Sequence, residues 1–119
     1  MEGGLSPGCF VREWTCYLEL HGHRVKQVTG NPDVLISLNG KRQRYRWLLK
    51  CVDGDSMLLT PGQRKAVRAQ ARLAKRARQQ CFVVVKFGHP VASAVVVPAA
   101  QALKMRRLTS EKGAIPWDR

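Results

Sequence analysis

The segment Cys81–Phe87 carries Phe82, Val83, Val84 and Val85 with no polar residue between them. A strand with one wet face alternates polar and apolar side chains. A continuous run of branched and aromatic residues is the pattern of a strand buried on both faces. Such a strand needs partners in a sheet and a covering layer on each side. The chain has 119 residues, enough for one core, and 45% of them are hydrophobic, which argues against a disordered basic tail. The reading is therefore one domain over residues 1–119, with its core at about 8–108 and a loose tail at 109–119.

The neighbours of that strand follow from periodicity and punctuation. Ser6-Pro7 has the form of an N-cap followed by proline at the first helical position. Phe10, Trp14 and Leu18 then recur at every fourth position, and Gly22 stops the pattern, which predicts a helix from Pro7 to His21. His23 to Val28 reads as a short edge strand, Thr29 to Asp33 as a turn, and Val34 to Leu38 as a strand. Asn39-Gly40 marks a hairpin into a strand from Tyr45 to Val52, which Asp53-Gly54-Asp55 ends. After a loop, Thr60-Pro61 opens a second helix, expected to reach about Gln79 with Val67, Ala71 and Ala74 on its apolar face. Beyond the buried strand, Gly88-His89-Pro90 forms a turn, Ala92 to Val97 a fifth strand, and Pro98 opens a last helix to about Leu108. Hairpins followed by a helical crossover give an α/β fold: a mixed sheet of about five strands flanked by helices.

Charge narrows the function. The formal net charge is +13, and its distribution is uneven. Through Asp55 there are 8 basic and 6 acidic residues; from Ser56 onward there are 13 basic and 2 acidic. Charge of this kind seeks phosphate, on nucleic acid or on an anionic membrane. Arg64, Arg68, Arg72 and Arg76 repeat at every fourth position of the second helix, with Lys65, Lys75 and Arg78 beside them and no acid among them. Like charges at that spacing repel by a few tenths of a kcal/mol per pair in an isolated helix. A polyanion relieves that repulsion. A membrane is a poor partner, because the apolar face of this helix is mostly alanine and offers no large anchor. Lys41, Arg42, Arg44 and Arg46 on the hairpin form a second candidate wall; Tyr45 and Trp47 between them suit core packing better than base stacking.

Other chemistries find little support. Cys9, Cys16, Cys51 and Cys81 form no Cys-x-x-Cys pair and have no paired histidines, which argues against zinc. Cys9 and Cys16 lie two helical turns apart, about 10 Å by rise, too far for a disulfide. Reduced thiols, no apolar run of membrane-spanning length, and Glu2 with two glycines where a signal peptide would be apolar point to the cytoplasm or another reducing compartment. There is no glycine-rich phosphate loop and no Ser-His-Asp order; His21, His23 and His89 suit turns or caps.

One constellation remains. Asp33 heads one strand of a hairpin and Lys50 lies in the other, so a carboxylate and an ammonium converge at one sheet edge. Glu13 in the first helix, Gly22-His23-Arg24-Val25, Pro32-Asp33-Val34-Leu35-Ile36, Trp47-Leu48-Leu49-Lys50-Cys51 and Thr60-Pro61-Gly62-Gln63 occur in an order that resembles the PD-(D/E)XK nuclease superfamily. The likeness is to the archaeal Holliday-junction resolvases and the VRR-NUC domains in particular, over roughly residues 8 to 100, by ordered motifs rather than by close identity. It implies a restriction-endonuclease-like fold and acids that hold a divalent metal, usually Mg²⁺, which polarises the scissile phosphate and lowers the pKa of an attacking water. By position, Glu13 matches the helix glutamate, Asp33 the motif aspartate, Lys50 the motif lysine and Gln63 the helix glutamine. The departure is Leu48, where the family carries an acid or sometimes Gln. Arg46 and Lys50 then share a strand face with no acid between them, and Asp53 or Asp55 would have to swing back to replace it. Metal held by Glu13 and Asp33 alone would be weakly bound.

The expected function is nucleic-acid binding, DNA first, on a nuclease-like scaffold with an impaired active site. The contacts would be Arg64, Lys65, Arg68, Arg72, Lys75 and Arg76 on the helix, with Arg42 and Arg44 on the hairpin. Two other readings stay open: an active Mg²⁺-dependent endonuclease acting on branched or junction DNA, and a basic RNA-binding protein of a ribonucleoprotein particle. Whether the chain is an enzyme turns on Leu48, and a homodimer is compatible with either nuclease-like reading.

Overall fold

The structure, a computed structural model, describes residues 7–54, 56–87, 93–105 and 107–109. Helix α1 (Pro7–Leu20) leads into strands β1 (His23–Val28), β2 (Asn31–Asn39) and β3 (Gln43–Val52). After β4 (Ser56–Leu58) come α2 (Pro61–Arg76), β5 (Gln80–Phe87), β6 (Ser93–Pro98), α3 (Ala99–Lys104) and β7 (Arg107–Thr109). The main sheet has the order β1-β2-β3-β5-β6. Its two hairpins are antiparallel, α2 crosses over to make β3 and β5 parallel, and β6 returns antiparallel on β5. The expected mixed five-stranded sheet is the observed one.

Strand β5 is covered from both sides, as its composition requires. On one face Phe10, Trp14 and Leu18 of α1 pack with Leu35, Trp47, Leu49, Val84 and Val96. On the other, Val34, Leu48, Val83, Val85 and Val97 pack with Val67 of α2 and Ala99 and Ala102 of α3. Alternation along β3 and β5 sorts side chains between these clusters. Trp47 and Tyr45 belong to the first: Trp47 is fully buried, stacks with Phe82 at 5.2 Å, and donates from Nε1 to Ser37 Oγ at 2.8 Å.

Four expectations about element ends are corrected. Helix α1 stops one residue earlier, at Leu20, where Gly22 at φ +88° turns the chain. Helix α2 stops at Arg76 rather than Gln79. There Arg78 adopts φ 58°, its amide bonds to Lys75 O and the Gln79 amide to Ala74 O, the two bonds of a Schellman ending. The position that usually signals this ending with glycine holds arginine instead. Helix α3 ends at Lys104, and residues 56–58 and 107–109, expected as loop and helix end with the start of the tail, pair as a small antiparallel sheet. This places Leu108 in the core as a strand residue. The carbonyls of Leu103 and Met105, at the end of α3, accept from the Arg64 guanidinium at 2.8 and 3.0 Å.

Arg46 departs from the expected hairpin wall. It is only 8% exposed, with Nε donating to Gln79 Oε1 at 2.9 Å and Nη1 to Gln70 Oε1 at 2.6 Å. The Ser6 cap, Asp55, the Gly88-His89-Pro90 turn, Ala92 and Trp117 lie outside the described residues.

Candidate functional site

The end of the sheet where β2 begins and β3 finishes collects the polar residues singled out above. The hairpin register sets Val34 opposite Leu48, which brings Asp33 and Lys50 to the same edge. Lys50 Nζ lies 3.6 Å from Asp33 Oδ2, with the two side chains 28% and 41% exposed. At that exposure the pair is an orientation device more than a source of stability.

Glu13 faces a different partner. Its Oε1 accepts from Nζ of Lys86 on β5, which also lies 5.8 Å from the centre of the Phe10 ring. The parallel register pairs Cys51 with Lys86, one step beyond the pairing of Lys50 with Val85. This end of the sheet therefore carries two separate carboxylate–ammonium pairs, Asp33 with Lys50, which alternates with Leu49 and Cys51 toward the α2 face, and Glu13 with Lys86 on the α1 face. Sequence reasoning missed Lys86 because it absorbed the residue into an apolar run. Its signal was a charge next to last in a strand otherwise buried on both faces.

Leu48 is 4% exposed and packs in the cluster that includes Val34, Val83 and Val67. Gln63 closes a capping box on α2: its amide bonds Thr60 Oγ1 at 3.1 Å and its Oε1 accepts from the Thr60 amide at 2.8 Å. Asp53 is exposed just past β3. Among the described residues no group of three His, Cys, Asp or Glu side chains is placed to hold a metal ion.

The basic surface lies along α2, apart from this edge. Lys65, Arg68, Arg72, Lys75 and Arg76 are exposed along α2, while Arg64 is half-buried against the end of α3. Sixteen residues make α2 about 24 Å long. It runs from the edge holding Asp33 and Lys50 toward the hairpin end, because β5, which follows it, begins with Gln80 beside Tyr45. Arg42 and Arg44 are exposed at that hairpin end, where an open cleft of about 500 Å³ is lined by Gly22, Arg24, Leu38, Gly40 and Lys41. Two buried groups are perturbed. Burial, with the like charge of His21, lowers the pKa of His23, and burial pushes the Cys81 thiol up to about 11, so Cys81 is no nucleophile at neutral pH.

No model of a known protein family matches the chain, and no curated protein matches it. Among solved structures it is similar to Hjc, a Holliday junction resolvase of Archaeoglobus fulgidus, with a TM-score of 0.68 and 18% identity over 89% of this chain and 86% of that one. This likeness shows the fold: the chain has the restriction-endonuclease-like architecture that its ordered motifs imply. Among the described residues no helix is long and apolar enough to cross a membrane.

Proposed function

We propose that the protein binds DNA, duplex or branched, on a nuclease-like scaffold whose active site is impaired. The observation that carries this reading is Leu48, whose position in the core supplies no oxygen where a metal nuclease of this fold needs one. The carboxylates left, Asp33 and Glu13, each have an ammonium partner. Mg²⁺ takes near-octahedral oxygen coordination, through one or two carboxylates together with waters and substrate phosphates. Here each carboxylate would first have to give up its ammonium, which makes this a weak site for the ion.

The binding half of the reading rests on α2. Its exposed cations run the length of the sheet, and a phosphate backbone matches a row of like charges that nothing on the helix itself neutralises. That the resolvase similar in fold acts on Holliday junctions supports branched DNA as a ligand to try first. The experiment is incubation of labelled duplex and four-way junction with the protein and Mg²⁺, read for both shift and nicking, with structured RNA as competitor. Binding without nicking is expected. Cleavage abolished by Asp33→Ala overturns the impaired site in favour of an active endonuclease. Preferential displacement by RNA assigns the basic surface to RNA.

A further inference from the structure

We propose that the side of β1 and β2 that faces the same way as α2 is a second phosphate-binding surface, and that this surface and α2 hold the two backbones of one DNA duplex. The inference rests on the DNA-binding reading and adds how the duplex is seated.

Alternation assigns the side chains. Val25, Leu35 and Tyr45 pack in the cluster beneath α1, so Arg24, Lys26, Ile36, Leu38 and Arg44 face the α2 side. The register sets Leu38 between Arg24 and Arg44, and Ile36 between Lys26 and Arg46. The helices of that side pack on β3, β5 and β6. Beside them Arg24, Lys26 and Arg44 are exposed and Ile36 and Leu38 half-buried, while Arg46 is taken up by Gln70 and Gln79. Charge on the edge strand β1 is ordinary protection against pairing with another sheet. Arg44 has no such use, for β3 is paired on both sides. A solvated face also mixes its signs. Here the described acids lie elsewhere: Glu13 and Glu19 on α1, Asp33 beside Lys50 at the far end, and Asp53 past β3.

The second border of this face is α2. Gln70, which reaches Arg46, marks the flank of the helix that looks onto β3. At about 100° per residue, going round from Gln70 away from the core come Ala66, Leu73 and Ala69, all exposed, and then the cations Arg76, Lys65 and Arg72. Ile36, Leu38 and this helix flank thus form a strip without charge. Arg24 and Lys26 border it on one side, the α2 cations on the other, and Arg44 stands at its hairpin end. The strip is at least the two strand spacings from β1 to β3 wide, about 10 Å. The two backbones of B-DNA are likewise kept apart by a major groove about 12 Å wide. A duplex sets one backbone on each border with the groove over the strip. A single strand has one backbone and fills one border.

The test compares two triple variants and their combination: Arg24→Gln with Lys26→Gln and Arg44→Gln on the sheet, and Lys65→Gln with Arg72→Gln and Arg76→Gln on α2. Affinity for a labelled duplex, and for one of its strands alone, is measured by anisotropy across a salt series. On the duplex each triple variant should flatten the dependence of log affinity on log salt by up to about 2.7, and the combination by up to about 5.4, because the borders engage different backbones. On the single strand the combination should flatten it by no more than about 2.1. Arg24→Lys with Arg44→Lys keeps the charge and should keep the wild-type slope. Should the sheet triple variant fail to fold, Arg24→Gln alone decides, with an expected duplex slope change of about 0.9. A folded sheet variant with the wild-type duplex slope overturns the inference, while an α2-dependent slope beside it leaves the proposed function standing. Losses that add on the single strand as they do on the duplex overturn the shared duplex. If the wild type binds no DNA, the proposed function itself falls.

Discussion

Leu48 stands opposite Val34, the residue that follows Asp33, in the β2–β3 ladder, beside Val83 in β5 and two positions before Lys50. The position that the ordered motifs match to an acid is thus a packing position between the sheet and α2. Replacing it tests that directly. Leu48→Glu places an unpaired carboxyl among valines and should cost about 3 kcal/mol or more. The introduced carboxyl has a raised pKa in the folded state, so the unfolded chain is the more ionised and the loss grows as pH rises through the carboxyl range. Urea melts should show a larger deficit at about pH 8 than at about pH 5. Leu48→Gln should lack that pH dependence. Mg²⁺ should recover little in either variant while Lys86 and Lys50 occupy Glu13 and Asp33.

The exposed cations of α2 should act additively on DNA. Arg68, Arg72 and Lys75 lie in solvent, so their replacement by Gln leaves the fold nearly intact. Each phosphate that goes without its cation flattens the dependence of log affinity on log salt by about 0.9, and the triple variant should give up to about 2.7 less slope. Arg64→Gln should behave differently, with a lower melting temperature, because its guanidinium serves the carbonyls of Leu103 and Met105. A folded triple variant with the wild-type slope would remove α2 from the interface.

How much of this was written plainly in the sequence depends on how many residues carried each signal. The buried β5 strand, the α1 face of Phe10, Trp14 and Leu18, and the Thr60 cap were legible because each spans a full period or a complete motif. The small β4–β7 sheet was not, since three residues are too few for alternation to register. Nor was the end of α2, where Arg78 takes a left-handed conformation that sequence patterns reserve for glycine or asparagine. At the site, the convergence of Asp33 and Lys50 followed from hairpin geometry alone. The partner of Glu13 did not, because Lys86 reaches it across the sheet from a strand separated by 73 positions.

Arg46 illustrates the same long-range dependence in the core. Its guanidinium is held by two neutral carbonyls, of Gln70 within α2 and Gln79 just after it. A lysine at this position cannot reach both, for its donors radiate from one atom. Arg46→Lys should therefore cost about 1 kcal/mol by leaving a half-buried amide oxygen without its donor. The salt slope of DNA binding should stay at the wild-type value, since a guanidinium 8% exposed neutralises no phosphate. Chemical denaturation and the salt titration, read together, separate this structural arginine from Arg68 and Arg72.

His23 should weaken the fold in acid. It is buried beneath Tyr45 and Trp47, with Nδ1 2.9 Å from Ser37 Oγ. Trp47 Nε1 donates to that same Oγ, and Asn39 Nδ2 lies 3.4 Å from His23 Nε2 on the other side of the ring. Burial, and then the neighbouring His21, holds the pKa of His23 below its ordinary 6.5. In the unfolded chain the ring has that ordinary value, so just below it the unfolded state binds a proton that the native state refuses. Stability contributed by the neutral ring is therefore complete above about pH 7 and falls as pH drops through the window between the ordinary and the folded pKa. The slope from this one group cannot exceed about 1.4 kcal/mol per pH unit. His23→Gln removes the titrating group and should flatten the acid limb, whatever it costs at neutral pH through the altered bond to Ser37. Urea melts of both proteins across this range check it. Parallel stability curves would mean that the acid response arises elsewhere.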